Sequence, residues 1–287
     1  MLNDNHLDSW EYSQELRLLL ALLEADSRDG LSFEHWELLQ GVDWNGFIEL
    51  ARHHRVFPTI HLKLQELKLG HIPPFVKELF QRDYYRNTLQ MLALSGEMEG
   101  LAKELAEADV RALFLKGPVI AADLYGDVSL RTSSDLDVLV PISDLPEAER
   151  LLSGRGYVKD DYIETILNDW KWRHHHITFH HPVKKIKVEV HWRLNPSPSS
   201  EPDFNDLWSR KRQSSLISRP IYYLGREDLF MFLATHGARH GWSRLRWLLD
   251  MKQLMGQRVD WPQLIALLRK HRCTHIGGQA LVLAARL

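Results

Sequence analysis

Cysteine is almost missing from this chain. Of 287 residues only Cys273 is one, so no internal disulfide can brace the fold and a reducing compartment is expected. No cysteine pair is available for a structural zinc site, although the chain carries 16 His. Long apolar runs are missing too. The longest cluster, from Leu18 to Leu23, falls well short of the roughly 18 residues a membrane span requires, and it belongs to an amphipathic helix. The opening MLNDNHLDSWEYSQE has neither the basic start nor the apolar stretch of a signal peptide. A cytoplasmic protein without membrane contact is expected. Neither charge sign dominates: 36 Lys and Arg stand against 38 Asp and Glu. That balance gives no general nucleic-acid signal and leaves only a local basic groove open. Repeats and low-complexity tracts are absent. What is present, 44% hydrophobic and 26% charged residues, suits one large domain or two to three small ones around a real core.

Residues 13 to about 108 read as helical. Leu16, Leu19, Leu20 and Leu23 follow a helical stripe, and after Pro73-Pro74 a long pattern runs through Val76, Leu79, Phe80, Tyr84, Leu94, Met98, Leu101 and Leu105. No chemistry stands out there, and a packing or propping role is expected. The period then shortens. Ala112 to Leu115 is a strand ending at Lys116-Gly117, GPVIAADLYG is helix-like, and Ser134 to Val140 is a second strand. Asp144 with Glu147 has the spacing of a capping box at the start of the next helix. RHHHITFHH and KKIKVEVHW form an antiparallel hairpin around Pro182 and Val183. NPSPSSEP then reads as a linker, before three helical segments starting near Glu227, Ser243 and Trp261. The apolar ending ALVLAARL suggests that the natural chain continues past residue 287.

The chemistry concentrates on carboxylates. Asp135 and Asp137 sit two apart on a strand, so both leave one face about 7 Å apart. Carboxylates so placed can share two divalent ions about 3.5–4 Å apart, and hard oxygen ligands suit Mg²⁺ or Mn²⁺. On the later strand Ile186, Val188, Val190 and Trp192 point one way and Lys185, Lys187, Glu189 and His191 the other. Glu189 therefore joins the aspartates if the strands are neighbours. Gly117 opens a helix whose N–H groups and dipole favour phosphate, with Lys116, Arg131 and Ser134 as further donors. Crowding of three like charges predicts that Asp137→Asn leaves metal-free stability equal or higher.

LFLKGPVIAADLYGDVSLRTSSDLDVLV resembles the signature of the uncharacterised nucleotidyltransferase family within the DNA polymerase β superfamily. VEVHWRL around Glu189 and LATHGARHGWSRLRWLLDM from Leu233 to Met251 are also similar to it, so the resemblance spans roughly residues 110 to 255. Where many members carry Gly-Ser after the first strand, this chain has Lys116-Gly117-Pro118, which leaves phosphate contact to Lys116 or to backbone amides. The resemblance implies an α+β fold. A small mixed sheet forms an α/β catalytic core over residues 109–196, flanked by an N-terminal helical region, 1–108, and a C-terminal helical lobe, 197–287. It implies two-metal transfer of a nucleoside monophosphate from an NTP, ATP among them, to an acceptor, with pyrophosphate leaving. Asp135, Asp137 and Glu189 would be catalytic and metal-binding. The acceptor is a small molecule, a peptide or RNA. A toxin-like enzyme acting on tRNA, favoured by a groove near Lys184, Lys185 and Lys187, and a catalytically idle nucleotide-binding scaffold remain as alternatives.

His236 and His240 share a helical face, but the Glu of an H-E-x-x-H zinc site is absent. The block instead suggests that His236, His240, Trp242 and Arg246 line the nucleotide or acceptor pocket, while packing with Asp250 as a salt-bridge partner is equally consistent. His174, His175, His176, His180 and His181 show no metal-ligand spacing, and no site is expected among them.

Overall fold

The computed structural model describes residues 12–25, 37–67, 72–160, 174–216 and 219–287. Parts of the expected N-terminal helical region (26–36 and 68–71), most of the opening segment and Arg173 of the hairpin lie outside the described residues. Among the described residues, four N-terminal helices come first: α1 (Gln14–Glu24), α2 (Trp44–His53), α3 (Phe57–Glu66) and α4 (Pro74–Glu107). The last begins with Pro at its first position, where a missing N–H costs nothing. Its 34 residues span about 50 Å, and its buried stripe recurs every three or four residues from Val76 to Leu105. Val76 and Phe80 belong to an N-terminal core with Leu18, Leu22, Phe47 and Ile60. Met91 to Leu105 belong to the larger core under the sheet. One helix thus joins both cores, which is the propping role its pattern suggested.

The sheet is mixed and seven-stranded among the described residues, in the order β3-β4-β5-β2-β1-β7-β6. Its strands are β1 (Leu113–Phe114), β2 (Asp135–Leu139), β3 (Val158–Lys159), β4 (His176–His180), β5 (Lys187–His191), β6 (Arg212–Ser214) and β7 (Ile221–Tyr223). Helices α5 (Pro118–Tyr125) and α6 (Leu145–Gly154) connect the early strands. The sequence reading anticipated β1, β2 and the β4–β5 hairpin and missed β3, β6 and β7, which are two or three residues long and carry no extended alternation. Because β7 pairs in parallel with β1, the sheet continues past the Pro/Ser stretch at which the core was expected to end. The expected capping box at Asp144 does not form. Asp144 makes no side-chain cap bond, and Glu147 pairs with Arg150 instead.

The C-terminal helices are α7 (Phe204–Ser209), α8 (Arg226–Arg239), α9 (Leu245–Met255), α10 (Trp261–Lys270) and α11 (Thr274–Ala285). Eight residues of α8 are buried, from Asp228 to Gly237, and α8 packs against α9, α10 and α11. No described helix is long and apolar enough to cross a membrane.

Candidate active site

The register of β2 against β5 assembles the site. The two strands run parallel with Asp135 opposite Lys187, Asp137 opposite Glu189 and Leu139 opposite His191. Side chains alternate along each strand, so these six share one face. The antiparallel pairing of β4 with β5 adds His176 opposite His191 to that face. Asp137, Glu189 and His191 each offer a ligand atom within 4.8 Å of the others.

Cationic side chains hold these acids in the structure. Lys116 Nζ lies 2.9 Å from Asp137 Oδ1, and His191 Nε2 lies 3.2 Å from the same oxygen. Lys187 Nζ bridges Asp135 Oδ2 at 2.9 Å and Glu189 Oε1 at 2.7 Å. Asp137 is fully buried. Burial raises its pKa, but the Lys116 charge and the His191 hydrogen bond outweigh that and bring it to about 2. Burial also opposes the charge on Glu189, and His191 with Lys187 drives its pKa well below the usual range. His191 itself is held above its ordinary value, because both carboxylates overcome burial.

Above this floor lies a cleft of about 610 Å³. Its walls include Lys116, Ser134, Asp135, Lys187, Glu189 and His191 from the sheet side and His236, Arg239, His240, Arg244, Arg246 and Trp247 from the helical lobe. Arg55 arrives from the N-terminal region, on a turn in the left-handed conformation at φ 57. That region docks through backbone: Arg246 N–H donates to the His54 carbonyl at 3.3 Å, and Arg244 Nη1 to the His53 carbonyl at 3.1 Å. Burial presses the pKa values of Arg55, Arg239 and Arg246 below normal, with Arg244 acting further on Arg55 and Arg131 on Arg246. An anion in the cleft would relieve that penalty. His236 is driven to about 2 by burial and then by Lys116, so it offers a neutral imidazole.

Two residues named from the sequence, Arg131 and Trp242, stand elsewhere. Arg131 is 2% exposed and lies outside the cleft wall. Its Nε and Nη2 make a forked pair with Asp250 at 3.0–3.1 Å, and Tyr125 donates to the same carboxylate at 2.7 Å. It orders the approach to Ser134 instead of facing solvent. Asn87 of α4 holds the Ser129 carbonyl at 2.7 Å, and Arg246 Nη1 holds that of Thr132 at 2.5 Å, so the segment is pinned from both sides. Trp242 donates to Gln279 at 3.1 Å and presses on Gly237, where a Cβ would collide with its ring. Gly117 does occupy the turn into α5, at φ 80, a value that disfavours any other residue. Asp250 is the salt-bridge partner expected of it, with Arg131 as its mate.

Sequence reasoning missed Arg55, His175, His176, Arg239 and Arg244. The alternation on β5 already put Lys187 and His191 beside Glu189, but Lys187 was read into an RNA groove. For His175 and His176 the expectation of no site was wrong in placement. They line the cleft because β4 is a direct neighbour of β5, which spacing within one segment cannot reveal.

A parallel strand pair presenting opposed acids to a cation-lined cleft, inside a mixed sheet flanked by helices, is a nucleotidyltransferase core. The chain belongs to the family described as uncharacterised nucleotidyltransferase, which matches residues 40–287, a wider span than the 110–255 stretch that carries the motifs. Among solved structures, the solution structure of antibiotic-resistance factor ANT(2'')-Ia is similar at 15% identity, covering 69% of this chain and 91% of that one, with a TM-score of 0.38. No curated protein matches the chain.

Proposed function

We propose that this protein transfers a nucleoside monophosphate from an NTP to an acceptor, using Mg²⁺ or Mn²⁺ held by Asp135, Asp137 and Glu189. The observation that carries the reading is the parallel register setting the buried Asp137 directly opposite Glu189, which lines the cleft. The donor set fits a hard divalent ion. Asp137 Oδ2 is buried without a hydrogen-bond partner, an expensive state that a cation would correct. Such an ion would take over the neutralisation that Lys116 and Lys187 supply, and it would lower the pKa of an acceptor hydroxyl.

The rest falls to the chain's own groups. An acceptor oxygen bonds to the α-phosphorus as the bond to pyrophosphate breaks, and Glu189 accepts the acceptor proton. Lys116, Ser134, Arg246 and the neighbouring Arg55, Arg239 and Arg244 counter the charge gathering on pyrophosphate. Arg131 acts at a distance by holding the segment that carries Ser134. The RNA-acceptor alternative gains no support from its lysines: Lys187 is paired inside the site and Lys184 bonds Glu97 at 2.7 Å.

Each of the four NTPs, labelled on the α-phosphate, would be incubated with the protein, Mg²⁺ or Mn²⁺ and cell extract. Labelled product from the native protein and none from Glu189→Gln is expected. No product from any NTP with the native protein would remove the reading and favour an idle scaffold.

A further inference from the structure

The same cleft gathers three imidazoles that the transfer chemistry does not use as a set. His175 immediately precedes β4, His176 opens it, and His191 closes β5 directly opposite His176. The His175 carbonyl accepts from Trp192 N–H at 3.0 Å, so the backbone of all three is fixed by one strand pair. One nitrogen from each lies within 4.8 Å of the others. His175 Nε2 and His176 Nδ1 stand 3.2 Å apart. A tetrahedral ion with nitrogen ligands at 2.0–2.1 Å separates those ligands by about 3.3 Å, so this pair is already at ligand spacing, and a His191 nitrogen lies within 4.8 Å of both.

The surroundings of His191 suit a ligand as well. Its Nε2 is engaged by Asp137, while its Nδ1 is buried with no hydrogen-bond partner. A carboxylate behind one ring nitrogen and a free second nitrogen is the arrangement that orients metal-binding histidines.

We propose that His175, His176 and His191 bind a borderline first-row divalent ion such as Zn²⁺ or Co²⁺, at a site that overlaps the carboxylate set only through His191. Nitrogen ligands select that class of ion as oxygen ligands select Mg²⁺. Three protein ligands leave a fourth position facing the cleft, open to water or a phosphate oxygen. His191 also belongs to the Asp137–Glu189–His191 group, so occupancy of the imidazole site acts on the carboxylates through a shared ring. This inference stands whether or not nucleotide transfer is the activity.

Chelator-treated full-length protein would be titrated with Co²⁺ by visible absorption and with Zn²⁺ by calorimetry. One equivalent is expected. The His175→Ala/His176→Ala variant should lose more than the roughly 10–100-fold that removal of an outer-shell partner costs. Metal-free melting shows whether each variant folds, and if the double alanine melts early, His175→Asn with His176→Gln replaces it. Unchanged binding in the folded histidine variant overturns the proposal. So does the absence of stoichiometric binding by the native protein.

Discussion

Replacing Asp250 with Asn should destabilise this protein more than any comparable change at its surface. The Arg131 guanidinium is 1% exposed and the Asp250 carboxylate 0%. Their forked pair therefore sits where solvent screens nothing. Burial alone would lower the Arg131 pKa, yet Asp250 raises it, so the arginine stays charged and depends on this partner. Removing one member of a buried pair costs about 3–5 kcal/mol, because the other charge is left uncompensated. For a chain of 287 residues that corresponds to a fall in Tm of about 5–8 °C. Replacing the whole polar set tests the reasoning further. Arg131→Met, Asp250→Leu and Tyr125→Phe together leave no orphaned group, and they should recover most of the loss, as apolar substitution of buried pairs often does. Thermal and urea unfolding of both variants gives the stability arm. Nucleotide titration gives the second: with Arg131 behind the cleft wall and the segment before Ser134 still pinned by Asn87 and Arg246, the triple variant keeps its NTP affinity to within tenfold. A fall of less than about 2 °C for Asp250→Asn would refute the energetic argument. A triple variant that melts normally but binds NTP more than tenfold more weakly would return Arg131 to the triphosphate.

Asp137→Asn should cut transfer by orders of magnitude and also lower the urea midpoint of the metal-free protein. The pKa near 2, set by Lys116 and His191 against burial, corresponds to about 2 kcal/mol in favour of the anion, which reverses the gain expected from charge crowding. Lys116→Ala should weaken triphosphate binding by about 1.5–3 kcal/mol, read by calorimetry with ATP and GTP; unchanged affinity removes Lys116 from the phosphate site. Acid should loosen the joint between α4 and the β4–β5 turn. Burial raises the Glu97 pKa, but Lys184 and Arg155 pull it below normal overall. Its contribution is therefore complete above the unfolded pKa of glutamate and is lost as pH falls through the lower folded value. Glu97→Gln should narrow the difference in urea midpoint between pH 7 and pH 3, and an unchanged difference would refute this.

The carboxylate floor was legible because strand alternation is local: Asp135, Asp137 and Glu189 declare their faces without knowledge of the fold. What stayed hidden depends on partners distant in sequence. Arg55 reaches the cleft only because the turn after α2 docks on α9. Arg131 looked like a phosphate ligand from its position before Ser134, and nothing in that position announces an acid 119 residues away. The histidines of β4 gained meaning from the neighbouring strand. β6 and β7 were too short to give a period, so the sheet was read as ending where a run of Pro and Ser begins.

The contact between Gly237 and Trp242 limits how this chain can vary over time. No side chain fits at 237 while the indole is in place, and Trp242 holds a left-handed backbone at φ 51 in the turn leading to Arg244 and Arg246. A larger residue at 237 displaces the ring, and a smaller one at 242 leaves the α8 surface uncovered. The two positions therefore act as one steric unit: a larger residue at 237 fits only beside a smaller one at 242.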